Sequence, residues 1–371
     1  RFFGNSYINY GTNLSDDVVL NVKYQAGIDN YTTHLQDIFG YGSRGNSTGE
    51  LNNYGITNSA FNSLATANLD WNINSDFQFD AMLGTELNHV NTKVYSESGT
   101  DFNFGGWNHI GNANIQTASE SQNQSRDVGF FGSVGLSWRS MLYLSATGRN
   151  DIVSTMPRDN RSFFYPSVSL SFVLTELSGL QDLDWLSFAK IRGSYAEVGQ
   201  AGRYLENYYI TPGYGGGWWL SDPIQYPISG LNSYIPSTTQ YDPNLKPQNT
   251  ASYEFGLDLK FFKNRLGIDY TYSHQDVTDQ IFAVPLAGST GASSLVMNGG
   301  AINTVAHEIT AYVTPVLMRD FRWDLGVNYA SVENNVVELA EGVESIFLGG
   351  FVTPQVRAGI GYTFPVIYGT S

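Results

Sequence analysis

From Met141 to Arg149 the apolar residues Leu142, Leu144 and Ala146 alternate with Tyr143, Ser145 and Thr147. From Ser167 to Leu174 the same alternation returns, with Val168, Leu170, Phe172 and Leu174 set against Ser167, Ser169 and Ser171. A period of two over such runs predicts strands with two unlike faces, because successive side chains of a strand point to opposite sides. The polar face carries hydroxyls in place of charges, which suits a surface turned to water inside a tube while the greasy face meets lipid. Read in this way, the stretch from Val128 to Gln200 predicts four strands in succession.

The rest of the chain follows the same grammar. Its opening predicts two strands around a turn at Asn13 to Asp17, with Val18, Leu20, Val22 and Tyr24 on one face. Tyr41 to Asn58, rich in Gly, Ser and Asn, reads as a loop, and Asn62 to Trp71 with Phe77 to Tyr95 reads as a hairpin turning at Asn74 to Asp76. Gly99 to Ser125 is too polar for a lipid-facing strand and is expected to be a long surface excursion. After Gln200 the pattern gives one more strand and then a long loop, followed by a hairpin of Gln248 to Phe262 and Asn264 to Val284 turning at Lys263 and Asn264. Pro285 to Asn298 reads as a loop, Ala301 to Pro315 as a strand, and Phe321, Trp323, Leu325, Val327 and Tyr329 as the apolar face of another. Short turns at 263–264 and 319–320 contrast with long loops at 99–125, 212–247 and 285–298. Outer-membrane barrels show this asymmetry, with short periplasmic turns and long external loops. The expected fold is all-β: an antiparallel transmembrane β-barrel, of which about a dozen strands can be placed.

Composition agrees and narrows the function. The 24 Tyr and 22 Phe favour strands and the 39 Gly supply turns. A net charge of −15 argues against a nucleic-acid partner, since phosphate recognition needs a basic surface. With no cysteine, disulfide frameworks and thiolate metal sites are excluded. No run of 18 apolar residues predicts a membrane helix, and the mean hydropathy of −0.21 is compatible with a barrel, whose strands show only every second residue to lipid.

Two ordered blocks carry a family resemblance. The first is YLSATGRND, a loop, FFYPSVSLSF, an acidic turn and LSFAKIRGSYAEVGQ; the second is YDPNLKPQNTASYEFGLDLKFFKNRLGIDYTYSHQDVTDQIFAVPLAGSTGASS. Together they resemble the barrel of the SusC/RagA family of TonB-dependent outer-membrane transporters. A departure lies at Ala306, His307, Glu308 and Ile309, where the family usually shows a Lys-Gly-Val-Glu step. The resemblance implies a 22-stranded plugged barrel in which residues 1–371 form part of one barrel domain, the plug and the final strands lying outside this sequence. It implies outer-membrane import of a nutrient, an oligosaccharide or a peptide, powered through TonB by way of the absent N-terminal region. A SusD-like surface lipoprotein would be the partner, and outer-membrane lipid the surroundings. Other readings are a structural SusC-like subunit of a larger outer-membrane assembly, a passive porin of smaller strand number, and a secreted β-rich adhesin.

Candidate chemistry is sparse, and no enzymatic signature emerges. The histidines at 34, 89, 109, 274 and 307 lack metal-site spacing, and Asp182 with Asp184 reads as a solvated acidic turn. Gly288 to Gly291 lacks the spacing of a nucleophile elbow. Gly213, Gly215, Gly216 and Gly217 lack a Walker lysine, so no nucleotide cofactor is expected. Arg149, Asn150 and Asp151, with Arg158 and Arg161, place charges at the mouth of a hairpin. Beside the glycine cluster, Tyr214, Trp218 and Trp219 are the candidate loop contacts to ligand or lid, as aromatic platforms in a loop suit ligand capture.

Overall fold

A computed structural model describes residues 1–205, 229–230, 237–340 and 342–369. Twelve strands form one antiparallel sheet: β1 (Phe2–Ser15), β2 (Val18–Phe39), β3 (Glu50–Asn72), β4 (Phe77–Phe102), β5 (Ala113–Trp138), β6 (Leu142–Val153), β7 (Ser162–Val173), β8 (Leu186–Gln200), β10 (Gln248–Phe261), β11 (Leu266–Thr278), β14 (Gly300–Leu317) and β15 (Arg322–Leu339). Their order in the sheet is their order in the chain. Two small sheets accompany it. One joins β9 (Thr239–Tyr241), β12 (Ile281–Pro285) and β13 (Ser294–Asn298), and the other joins β16 (Ser345–Gly350), β17 (Gln355–Gly359) and β18 (Val366–Tyr368).

The chain divides into two compact units, residues 1–70, 81–132 and 151–154 in the first and 71–80, 133–150 and 155–371 in the second. In the second unit, pairing registers fix the two faces. Leu170 lies opposite Gly193, Phe255 opposite Gly193 and Tyr272, and Ile309 opposite Tyr270 and Tyr329, so the apolar residues align in rows across strands. Lys190, Arg192, Glu254, Asp258, Asp269 and Glu308 alternate with them and share the other face. Aromatic rings collect at both ends of the apolar band. Near the short turns Phe77 stacks on Trp138 at 6.4 Å and Trp185 on Phe261 at 6.0 Å. Toward the opposite end lie Tyr195, Tyr253, His274, Tyr272 and His307. Tyr253 and Phe261 are separated by about 27 Å of extended strand, which at a tilt of about 40° spans about 21 Å, within the about 25 Å apolar band between the aromatic girdles of an outer-membrane barrel.

The short turns need residues that tolerate unusual backbone. Phe262, Lys263 and Asn264 have φ of 53°, 56° and 64°, and Arg139 and Ser140 have φ of 51° and 53°. Arg139 also donates to Asp76 in the neighbouring turn at 2.8 Å, and that hydrogen bond holds its pKa above the usual guanidinium value.

Two sequence-based expectations are corrected, and one strand runs further than its apolar face. Residues 50–58 and 113–125, expected in loops, belong to β3 and β5, and residues 99–102 to β4. Their polarity excludes lipid contact but not pairing: above the bilayer both faces meet water, and side-chain ladders such as Ser96 with Ser119 at 2.8 Å and Gln122 to Asn91 at 2.8 Å connect the strands. The hairpin strand expected to run from Asn264 to Val284 breaks at Asp279, whose φ is 53°, and β12 continues into a separate sheet. Finally, β15 continues ten residues past Tyr329 to Leu339. There Val336 and Leu339 are buried with Ile302, Ile346 and Ala358, and Val336 exchanges backbone hydrogen bonds with Gly361 and Tyr362 beside the β16–β18 sheet.

Candidate functional site: the loop collar and the wall beneath it

The long loop that carries Tyr214, Trp218 and Trp219 leaves the sheet after β8 and returns before β10. Those three residues lie outside the described residues. So does most of the stretch in which one further strand was expected. The two feet of the loop are described, and they are held by a collar. At the outgoing foot, Tyr204 N–H donates to the Thr155 carbonyl at 2.8 Å, the Thr155 hydroxyl donates to the Gly202 carbonyl at 3.1 Å, and Gly202 N–H meets Met156 Sδ at 3.2 Å. At the returning foot, Tyr241 packs edge-on against Tyr204, with ring centres 6.1 Å apart.

The Pro-Asn-Leu-Lys motif at 243–246 forms the rest of the collar. Leu245 is wholly buried, and Met156 is 2% exposed. Two amides clamp the motif from either side. Asn160 Nδ2 donates to the carbonyls of Asn244 at 3.0 Å and Leu245 at 3.2 Å. Asn298 accepts from Lys246 N–H at 2.7 Å and donates to the carbonyls of Lys246 at 2.8 Å and Asp279 at 2.7 Å. A motif readable in the sequence as a turn is therefore a peg with bracing on both sides. Its sequence signal was the motif itself; Met156, Asn160 and Asn298 carry none, because each acts at a distance of tens of residues along the chain.

Below the collar, the charged face of the second unit presents a concavity lined by Ser169, Ser171, Lys190, Arg192, Ser194 and Glu254. Arg192 reaches across β10 from β8 to β11. It makes a paired hydrogen bond to Asp269 at 3.0 and 3.1 Å and a third to the Thr271 hydroxyl at 2.6 Å. The passage is open because residue 256 is glycine: a Cβ there would collide with the Arg192 guanidinium. One side chain thus ties three strands together on the polar face.

The other charged candidates scatter. Arg149 and Asp151 close β6, Arg158 sits in the turn at 158–160, and Asp182 and Asp184 lie in the connection between β7 and β8, at the end of the short turns. Gly288 to Thr290 form one 3₁₀ turn, closed by Gly291 at φ 79°. His274 pairs with Asp276 at 3.1 Å and His307 with the Tyr270 hydroxyl at 2.9 Å on the apolar-row side of the sheet. Among the described residues no cluster of three His, Cys, Asp or Glu could hold a metal ion.

Antiparallel strands with one apolar and one polar face, aromatic belts at both ends of the apolar band, short turns at one end and braced loops at the other define the wall of a transmembrane β-barrel. The family model for the β-barrel of TonB dependent receptor-like proteins matches residues 1–366, and the chain belongs to that family, whose members reside in the outer membrane of Gram-negative bacteria. Among curated relatives, TonB-dependent receptor P26 of Formosa agariphila is 24% identical over 361 residues, which cover 94% of this chain and 35% of that protein. TonB-dependent receptor SusC of Bacteroides thetaiotaomicron is 26% identical over 280 residues, covering 72% of this chain and 26% of SusC. Among solved structures, the RagAB peptide transporter superposes with a TM-score of 0.79 at 20% identity, covering 97% of this chain and 39% of that one. The chain spans about a quarter to a third of the curated relatives it matches. These relatives agree with the SusC/RagA resemblance carried by the two sequence blocks.

Proposed function

We propose that this chain supplies the central wall and external loops of a TonB-dependent outer-membrane importer, which takes up an oligosaccharide or a peptide together with a SusD-like surface lipoprotein. The observation that carries the reading is the collar: the outgoing foot of the 201–247 connection is held by Thr155 and Met156 and the returning foot is pegged by Leu245, Asn160 and Asn298, which gives the connection a fixed base at the end opposite the short turns. A fixed base suits a loop that must meet a lid or a ligand repeatedly in one place. The loop's Tyr214, Trp218 and Trp219 are the proposed contacts to ligand or lid. The likeness to the RagAB peptide transporter supports the peptide class, and the oligosaccharide class and the lipoprotein partner rest on the SusC/RagA resemblance of the two sequence blocks.

The strand count supports the wider architecture. β1 and β15 each have one neighbour in the sheet among the described residues, and unpaired backbone groups in lipid cost several kcal/mol apiece. We therefore place residues 1–371 within one barrel domain of about 22 strands, completed by chain outside this sequence, which would also supply the plug and the TonB contact. Deleting the encoding gene is expected to abolish growth on one oligosaccharide or peptide source while sparing growth on monomers. Restoring the gene with Trp218→Ala and Trp219→Ala is expected to leave the barrel folded and weaken uptake. Unchanged growth of the deletion strain on every such source would favour the structural-subunit reading.

A further inference from the structure

In the first unit the continuous outward run of apolar residues ends at a common level. Tyr24 on β2 shares its face with Ser63 on β3, whose hydroxyl donates to the Tyr24 hydroxyl at 3.2 Å. Counting by twos from these residues, the continuous apolar run of that face ends at Ile28 on β2, Phe61 on β3, Leu87 on β4 and Val128 on β5; past a polar stretch, Ile38 follows at the far end of β2 and the buried Leu51 at the start of β3. The strands do not stop there. β2 runs on to Phe39, β3 begins at Glu50, and β4 reaches Phe102.

On the same face, above that line, the side chains change character and become mutually bonded. Thr32 and Thr57 share a hydrogen bond at 3.3 Å, and Thr57 shares another with the Tyr95 hydroxyl at 3.2 Å. Gln36 donates to Asn53 at 2.9 Å, and Asn53 donates to Glu97 at 3.2 Å. The Tyr95 ring packs over Gly55, where a Cβ would stand 2.8 Å from two of the ring carbons, and Tyr95 is 41% exposed. His34, Gln36, Asn53, Gly55, Tyr95 and Glu97 line one concavity of about 530 Å³.

An exposed aromatic ring backed by bare backbone and flanked by ordered amides and a carboxylate has the chemistry that recognises a sugar: a flat apolar face for the ring C–H groups and a row of donors and acceptors for hydroxyls. Its position decides which sugar. The concavity sits six to ten residues beyond the end of the continuous apolar run, about 20–34 Å along tilted strands, and it faces the same way as the lipid-contacting row. A free nutrient would enter on the polar, inward face. Whatever occupies the outward face at this height stands in the membrane's own outer saccharide layer.

We propose that the outward concavity of His34, Gln36, Asn53, Gly55, Tyr95 and Glu97 binds the neutral core sugars of an outer-leaflet glycolipid. The bonded row Gln36–Asn53–Glu97 fixes the orientation of the amides before the sugar arrives, which lowers the cost of binding. The site holds a ring of lipid around this part of the wall. It is independent of cargo and of the lipoprotein partner.

The test uses the full receptor containing this chain, reconstituted in bilayers that hold either a core-bearing glycolipid or the same glycolipid stripped of its core sugars. Glycolipids retained after mild detergent extraction are counted by native mass spectrometry. The wild type is expected to retain the core-bearing form about tenfold more than the stripped form, and Asn53→Ala or Glu97→Ala to lower that retention about fivefold, as loss of one or two hydrogen bonds would. Asn58→Ala, on the opposite face of the same strand and bonded to Thr92 at 3.0 Å, is expected to change nothing. Heat-modifiable mobility checks that each variant folds; should Asn53→Ala or Glu97→Ala misfold, Gln36→Ala at the exposed end of the row gives the same reading. Equal retention of the two glycolipids overturns the proposal. So does undiminished retention by the folded variants, or loss of a receptor dimer in place of glycolipid, which would make the face a contact between copies.

Discussion

At the scale of single residues, glycine 256 and arginine 192 give the sharpest dependence in the wall. Arg192 reaches Asp269 and Thr271 only because nothing projects from position 256. Gly256→Val is expected to expel the guanidinium and destabilise the barrel by about 1–3 kcal/mol, the usual cost of forcing a side chain into occupied space. In an Arg192→Ala background most of that cost should vanish, a coupling of about 1–2 kcal/mol that a double-mutant cycle on the heat-modifiable transition would read. Additive effects would mean that the crossing seen here contributes nothing. Leu245 gives a second prediction. As a wholly buried peg it should not tolerate charge, and Leu245→Asp is expected to cost more than 2 kcal/mol locally and to raise protease cleavage in the 201–247 loop. Cleavage equal to that of the wild type would show that the collar does not hold the loop. Neither dependence was legible in the sequence. Arg192 and Gly256 are 64 residues apart, and Leu245 reads as one apolar residue in a polar turn.

At the scale of elements, the period of two was legible and the strand ends were not. Leu142 to Ala146 and Val168 to Phe172 alternate because lipid and water act on opposite faces, and the register of β7 with β8 places Val168 to Phe172 in rows as that alternation requires. Where both faces meet water the alternation disappears and only pairing remains, so the upper parts of β3, β4 and β5 look like loops in the sequence. The alternation makes a prediction for neighbouring positions. Leu170→Arg, on the apolar row, is expected to cost about 2–4 kcal/mol of barrel stability, and Ser169→Arg, one residue earlier on the polar face, about 1 kcal/mol or less. Equal costs, measured by reversible unfolding in detergent or bilayer, would contradict the assignment of faces.

At the scale of the whole molecule, the account rests on a direction: short turns on the periplasmic side, collar and long loops outside. The absence of cysteine makes that direction measurable, since any cysteine introduced is the only one in the sequence. Arg44→Cys and Asn108→Cys lie in the long connections of the first unit and Ser289→Cys in a connection at the collar end of the second, and Asp182→Cys and Asp320→Cys in the turns at the second unit's other end. All five native residues are exposed. The measurement is labelling of these receptors, with any cysteine outside this sequence replaced by serine, on intact cells with a membrane-impermeant maleimide, followed by labelling after the outer membrane is opened. The structure predicts that positions 44, 108 and 289 label on intact cells and that 182 and 320 label only after opening. Labelling of 182 or 320 on intact cells, or protection of 44, 108 and 289, would contradict a barrel wall that crosses the outer membrane in this direction.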